Sequence, residues 1–274
     1  MIAIVTDSTS YMTKLTAQAF NVRVVPMNYT VASLQFKESC IDNNGNFEDL
    51  IFINTGLCKT AHVSISDFLT VFKDLTDKGY DVLCILISSK LSGTYSSACV
   101  AAREINPNKI TVIDSLTTAG GLFFLIKKAV ELVNKDIPLY QIAAMVEEAK
   151  NSIEIVFSVD DMSFLRLSGR LGIVPKSIGT ILNNRPILFC RDGAIISNGV
   201  ARGRKEQIKE IADLISSNAK EAIIHYLDDT NYIGALSDAI MKRLPHIKLN
   251  INKIGPVLGI HLGPGVIGVS WICI

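Results

Sequence analysis

The stretch D-V-L-C-I-L-I-S-S-K-L-S-G-T-Y-S-S-A, residues 81–98, joins an unbroken apolar run (Val82–Ile87) to a serine-rich turn and the opening of a helix. An apolar run without alternation is the pattern of a strand buried on both faces, at the centre of a parallel sheet. Around it the same grammar repeats. A helix is predicted from about Ser92 to Ile105, then a strand over Ile110–Ile113 and a long helix ending near Val133. Upstream, Ile2–Val5 and Val22–Tyr29 read as strands, with a Thr-Asp-Ser turn and a helix through Leu15–Phe20 between them. Ser64–Leu75 reads as a helix. Phe68, Leu69, Phe72 and Leu75 share one face, and Asp67 stands three residues after Ser64 in a variant of the capping box. Strands alternating with helices predict right-handed βαβ units and a parallel sheet.

The pattern changes near residue 150. Ile153–Val159 reads as a strand. Pro186–Cys190 and Ala194–Val200 flank Arg191-Asp192-Gly193, a tight-turn signal, so these two strands are antiparallel. Ile208–Ser217 is helical, and Ala222–Leu227, Ile247–Ile254 and Val266–Ile272 are further strands. The expected fold class is α/β in two domains. Residues 1–150 form a parallel, Rossmann-like sheet with helices, and residues 151–274 a mixed-sheet α/β domain. No repeat, low-complexity tract or long linker separates them, so a broad interdomain contact is expected.

Composition narrows the function. Among 274 residues, 27 Lys plus Arg face 26 Asp plus Glu, a net charge of +1. That balance argues against a general nucleic-acid binder, which needs surplus cations to displace condensed counterions. Charged residues make up 19% of the chain, against roughly a quarter in ordinary domains. The hydrophobic fraction is 49% and the mean hydropathy +0.34. Such a chain either buries its sheets on both faces or keeps an apolar cavity. A membrane span needs about 20 apolar residues. The oiliest stretch, Leu116–Ile126, is broken by Thr117, Thr118, Gly120 and Gly121 and closed by Lys127 and Lys128. The opening M-I-A-I-V-T-D-S has no basic region before its apolar residues and does not read as a signal peptide. Six cysteines without a C-x-x-C pair read as reduced core residues, so a cytoplasmic protein is expected.

Three segments carry hydroxyls to strand ends: Ser88–Gly93, Thr6-Asp7-Ser8-Thr9, and Lys59–Ser64 with Thr60 and His62. In a parallel α/β sheet, ligands bind at the carboxyl edge of the strands. A helix starting near Ser92-Gly93 carries about half a positive charge there and suits a carboxylate or phosphate. Each segment also has a plainer reading as capping and turn chemistry. The three together on one edge of one sheet predict an anion site.

Gly263-Pro264-Gly265-Val266-Ile267-Gly268 spells G-x-G-x-x-G, yet no helix and no later acidic residue follow it. The dinucleotide reading is rejected. The glycines instead read as allowing tight turns and close backbone approach. His261, beside them, is either a satisfied core residue or a donor aimed at an anion. Arg170 is either structural, paired with Asp160 or Asp161, or a forked donor to an anion. Arg202-Gly203-Arg204-Lys205 is either a solvated surface or a docking patch for an acidic partner. There is no nucleophile elbow, P-loop or H-E-x-x-H, and the four histidines show no metal-ligand spacing with the cysteines. A triad of Ser92, His261 and an Asp is conceivable, with nothing in their spacing to demand it.

The chain resembles the DegV family, in particular its fatty-acid-binding proteins of the FakB type. The resemblance runs nearly end to end. It rests on I-A-I-V-T-D-S-T-S, S-S-K-L-S-G-T-Y-S-S-A, V-I-D-S (Val112–Ser115) and V-D-D-M-S-F-L-R-L-S-G-R (Val159–Arg170). It continues through R-P-I-L-F-C-R-D-G, V-A-R-G-R-K and I-G-P-V-L-G-I-H-L-G-P-G. It implies two α/β domains enclosing an apolar tunnel that binds one long-chain fatty acid, with no other cofactor and no metal. The implied carboxylate ligands are Thr60, Ser92, the backbone of Gly93 and His261, with Arg170 nearby. Ser8 and His62 are further possibilities, and Arg202 and Arg204 are implied for partner docking. FakB-type proteins are non-catalytic subunits that present the acid to a separate kinase, which makes an acyl phosphate from ATP for phospholipid synthesis. A transient membrane-surface contact would serve acyl exchange. The other readings are a lipid carrier or sensor without a kinase, and a Ser-dependent esterase. The family usually has T-S-Q-P where this chain has Thr60-Ala61-His62-Val63. His62 there is either a replacement donor or solvent-facing.

The energetics fit such a ligand. Burying about fourteen methylenes at ~0.8 kcal/mol each gives on the order of 11 kcal/mol, reduced by the freedom the ligand loses. A charge-assisted hydrogen bond contributes roughly 1.5–3 kcal/mol. The tail therefore dominates affinity, and the head contacts set orientation and reject alcohols and hydrocarbons.

Overall fold

A computed structural model describes residues 1–135, 137–172, 183–228 and 231–273. Its first sheet is fully parallel. It is built from β1 (Ile2–Asp7), β2 (Val22–Val25), β6 (Asp81–Leu86) and β7 (Ile110–Asp114), in the order β2-β1-β6-β7. The apolar run of β6 lies at its centre, and the two-residue period of a strand divides its side chains between two cores. Val82, Cys84 and Leu86 face Phe68, Phe72, Ala98 and Ala101 of α3 (Ile65–Asp77) and α4 (Thr94–Ile105). Leu83 and Ile85 face Leu122, Leu125, Ile142 and Val146 of α5 (Ala119–Val133) and α6 (Leu139–Ala149). Ser64 caps α3 as expected, accepting the Asp67 N–H at 3.1 Å.

One expected strand is two. Pro26 has no N–H for a ladder, and the chain changes sheets there. Upstream of it β2 pairs with β1. Downstream, β3 (Met27–Val31) joins β4 (Leu34–Glu38) and β5 (Cys58–Ala61) in an antiparallel sheet ordered β4-β3-β5. Thr60 sits on β5, opposite Tyr29. The hydroxyl-bearing segments therefore do not share one sheet edge: Thr60 approaches from a different sheet.

The third sheet is mixed, as expected. β8 (Ile153–Ser158), β9 (Asn184–Arg191), β10 (Ala194–Arg202), β11 (Glu221–Tyr226), β12 (Lys248–Lys253) and β13 (Ile267–Ile272) lie in the order β10-β9-β8-β13-β11-β12. Among these six strands, as described, β11 and β12 pair in parallel and the other neighbours antiparallel. α8 (Gly203–Leu214) and α9 (Ile233–Arg243) cover this sheet through Ile211, Leu236 and Ile240. Asp192 and Gly193, at φ 49° and 80°, make the turn between β9 and β10.

Three short helices complete the described chain beside α1 (Lys14–Ala19): α2 (Phe47–Ile53), α7 (Met162–Ser168) and α10 (Pro256–Leu262). All strands of the first two sheets precede residue 150, and all strands of the third follow it. The helix α10 crosses that division and packs on α2, α7, β3 and β5. No described helix is long and apolar enough to cross a membrane. All six cysteines are free thiols.

Candidate functional site

A cavity of about 140 Å³ lies where the three sheets meet. Its apolar wall includes Met27 and Ile87 from the first half and Phe157, Leu165, Leu262 and Val266 from the second. Thr60, His62, Ser92, Gly93, Arg170 and His261 form a polar part of the same wall. Three of these, Thr60, Arg170 and His261, are held by hydrogen bonds that reach across the fold.

Ser92 lies just before α4. Its hydroxyl accepts the Thr94 N–H at 3.3 Å and pairs with Thr94 Oγ1 at 2.9 Å. It thus combines the two readings, as a helix-start residue and a cavity-wall hydroxyl. The α4 N-terminus leaves N–H groups without helical partners beside it. Thr94 Oγ1 in turn accepts the Val63 N–H at 3.2 Å, which ties the segment after β5 to this turn. His62 is exposed, and its ring lies over Gly93, 3.3 Å from where a β-carbon there would stand. The departure at Ala61-His62-Val63 therefore puts an imidazole beside the helix start.

His261 is on α10, a helix the glycine-rich reading missed. Pro256 at its first turn and Gly263 after its end, at φ 74°, mark its limits. Two buried side chains hold its start. Glu38 Oε2 accepts the Val257 N–H at 2.7 Å, and the Tyr11 hydroxyl accepts the Leu258 N–H at 3.2 Å. Burial pushes the Glu38 carboxyl up to about 8, against hydrogen bonds from Val257 and Ser8 that lower it. At the other end, His261 Nε2 pairs with Thr60 Oγ1 at 2.7 Å. Burial first, and the Arg170 charge second, push the imidazole down to about 4. His261 is neutral at pH 7.

Arg170 follows α7. Its Nε donates to the Leu91 carbonyl at 3.4 Å and its Nη1 to the Ser168 carbonyl. The pairing with Asp160 or Asp161 does not form. Asp160 takes Arg185 and Arg204, and Asp161 caps α7 by accepting the Ser163 N–H. Among the described residues no carboxylate pairs with the Arg170 guanidinium, so a cation faces an apolar cavity with only backbone oxygens to satisfy it.

The other expected residues lie elsewhere. Ser8 is buried and donates to Glu38 Oε1 at 2.8 Å, so it supports α10 through Glu38. Arg204 bonds Asp160 and Gln207 at 3.0 Å each and stacks on Tyr232, which commits its guanidinium to the fold. Arg202 is exposed. Ser92 Oγ and His261 Nε2 are each bonded to a threonine, Thr94 and Thr60, rather than to one another. Among the described residues no cluster of His, Cys, Asp and Glu could hold a metal ion. Sequence reasoning passed over Glu38, Tyr11, Thr118 and His225. Glu38 ends an unremarkable exposed-looking strand, and only the crossing of α10 onto that strand gives it a task.

Fold and site define an α/β protein built around an apolar cavity with a cationic, hydroxyl-lined polar part. The chain belongs to the DegV family: the model "Uncharacterised protein, DegV family COG1307" matches residues 1–273. A DegV domain-containing protein of Halalkalibacterium halodurans is 30% identical over 277 residues, covering 98% of each chain. The structure of a DegV family protein from Thermus thermophilus, reported with fatty acid binding, superposes with a TM-score of 0.86. It is 29% identical, over 100% of this chain and 99% of that one. The Streptococcus pneumoniae Fatty Acid Kinase (Fak) B3 protein, loaded with linoleic acid, shares the fold. Its TM-score is 0.85 at 19% identity, over 100% of each chain.

Proposed function

We propose that this protein binds a long-chain fatty acid, with its tail in the apolar cavity and its carboxylate among Thr60, Ser92, Gly93, His261 and Arg170. The observation that carries the reading is Arg170, a guanidinium at an apolar cavity with no carboxylate partner among the described residues. A fatty acid supplies both what the wall and what the cation lack. The neutral His261 and the Ser92 hydroxyl can donate to a carboxylate oxygen, and the α4 N-terminus favours its charge. The fatty acid binding of the Thermus thermophilus relative supports the same ligand.

The bound acid is presented to a fatty-acid kinase, which transfers phosphate to the carboxylate. The protein itself is a non-catalytic subunit. The Fak B3 likeness supports this at the level of fold. Exposed Arg202 and Lys205 would contribute to docking, while Arg204 holds the loop from within. Loading would come from a transient contact with a membrane surface. Leu57 and Leu167 are exposed on the segments flanking Thr60 and Arg170 and suit such a contact.

The test is native mass spectrometry of the purified protein followed by lipid extraction. Co-purifying fatty acid is expected, with binding weakened in Ser92→Ala while the protein stays folded at the assay temperature. An empty wild-type protein that ignores added fatty acid would overturn the ligand assignment. Adding a fatty-acid kinase and ATP is expected to give acyl phosphate. Bound acid that is never phosphorylated would leave a carrier and remove the kinase.

A further inference from the structure

The cavity wall has a second polar group, contributed by elements that give nothing to the first. Thr118 precedes α5, and His225 lies on β11; both line the cavity. Both are buried, at 8% and 6% exposure. A threonine at this position ordinarily turns its hydroxyl back to accept an N–H of the first helical turn. Here it does not. The Gly120 N–H donates instead to His225 Nε2, at 3.1 Å. The imidazole can come this close because position 120 is glycine: a β-carbon there would stand 2.5 Å from Nε2. The cap bond is therefore made across the fold by a histidine. Thr118 Oγ1 is left buried with no partner among the described residues.

A buried hydroxyl without a partner is unfavourable, and Thr118 is one of the residues that line the cavity. The N-terminal dipole of the fifteen-residue α5 favours an electron-rich atom at the same place. Resting on the fatty-acid reading, we propose that Thr118 recognises an oxygen substituent on the acyl chain, so that the preferred ligands are hydroxy fatty acids. The Thr118 hydroxyl and the chain hydroxyl exchange one hydrogen bond. His225, by holding Gly120, keeps the threonine free to make it and acts as a positioning residue.

The test is competition for the delipidated full chain between stearic acid and a positional set of its monohydroxy derivatives, read by native mass spectrometry. One isomer is expected to outcompete stearic acid by about tenfold, the worth of one buried hydrogen bond. Thr118→Val should abolish that advantage while leaving stearic acid binding intact, and should raise the melting temperature of the lipid-free protein. Thr118→Ser should keep the advantage, which guards against a folding defect in the valine variant. If stearic acid binds and no hydroxy isomer does better, Thr118 pairs with an ordered water and the inference is overturned. A preference that survives Thr118→Val overturns it as well. If neither stearic acid nor any derivative binds, the fatty-acid reading itself falls.

Discussion

At the residue scale, Arg170 and His261 divide the electrostatics of the site. The guanidinium supplies permanent charge, and the imidazole is kept neutral by burial and by that charge. Replacing Arg170 by Met should weaken fatty-acid binding by about 10- to 100-fold, since a charge-assisted hydrogen bond contributes roughly 1.5–3 kcal/mol. The same change should move the His261 titration upward, because a neighbouring cation no longer opposes protonation. A proton NMR titration reads this directly, and an unmoved His261 would show that burial alone sets it. Thr60, Ser92 and His261 could be named as candidates from the sequence because they stand in hydroxyl-bearing or glycine-rich segments that match the family's motifs. The neutrality of His261 was not legible there, since it depends first on burial and then on a cation 91 residues earlier in the chain.

At the element scale, backbone hydrogen-bonding capacity explains what was read and what was missed. The solid run of β6 has the pattern of a doubly buried strand, and its side chains divide between two cores. Pro26 was visible, yet its consequence, the transfer of the chain to a second sheet, required a partner strand that forms 30 residues later. Around β13 the glycines do what was expected of them. A β-carbon at Gly268 would stand 2.7 Å from Phe157 Cβ and 2.9 Å from the Val156 carbonyl. Gly268→Ala should cost about 1–3 kcal/mol, as overpacking in a filled core does. Urea unfolding measures it, and an unchanged midpoint would mean that β8 and β13 can separate freely.

At the scale of the whole molecule, the halves are joined by polar contacts as well as by the cavity wall. Ser88 Oγ, after β6, donates to the Gly193 carbonyl at the tip of the β9–β10 hairpin, at 2.8 Å. Buried titratable groups then shape stability against pH. His225 and His261 are both held at about 4, against 6.5 when unfolded. Their neutral native forms contribute stability that is complete above 6.5 and lost as pH falls toward 4. Glu38 works in the opposite sense. Its carboxyl is held at about 8 against 4.5 unfolded, so stability drops as pH rises between those values. Below 6.5 two histidines outweigh one carboxyl, and above it Glu38 acts alone among the three. Denaturant midpoints should therefore peak at about pH 6.5. Glu38→Gln should remove the decline from 6.5 to 8; a decline that persists would place its cause outside Glu38.

Sequence alone determined the βαβ start, the mixed-sheet second half, the apolar excess that a cavity absorbs, and most of the polar residues on its wall. These follow from periodicity, turn chemistry and composition, which act between neighbours along the chain. Tertiary structure decided that Thr60 arrives from a separate sheet, that α10 is held by Glu38 and Tyr11, and that Arg170 has no acidic partner among the described residues. It also decided that His225 replaces Thr118 as the cap of α5. Each of these depends on which groups meet across tens to hundreds of residues, or on which partner a group fails to find. Burial sets the energy of both, and burial exists only once the sheets have packed.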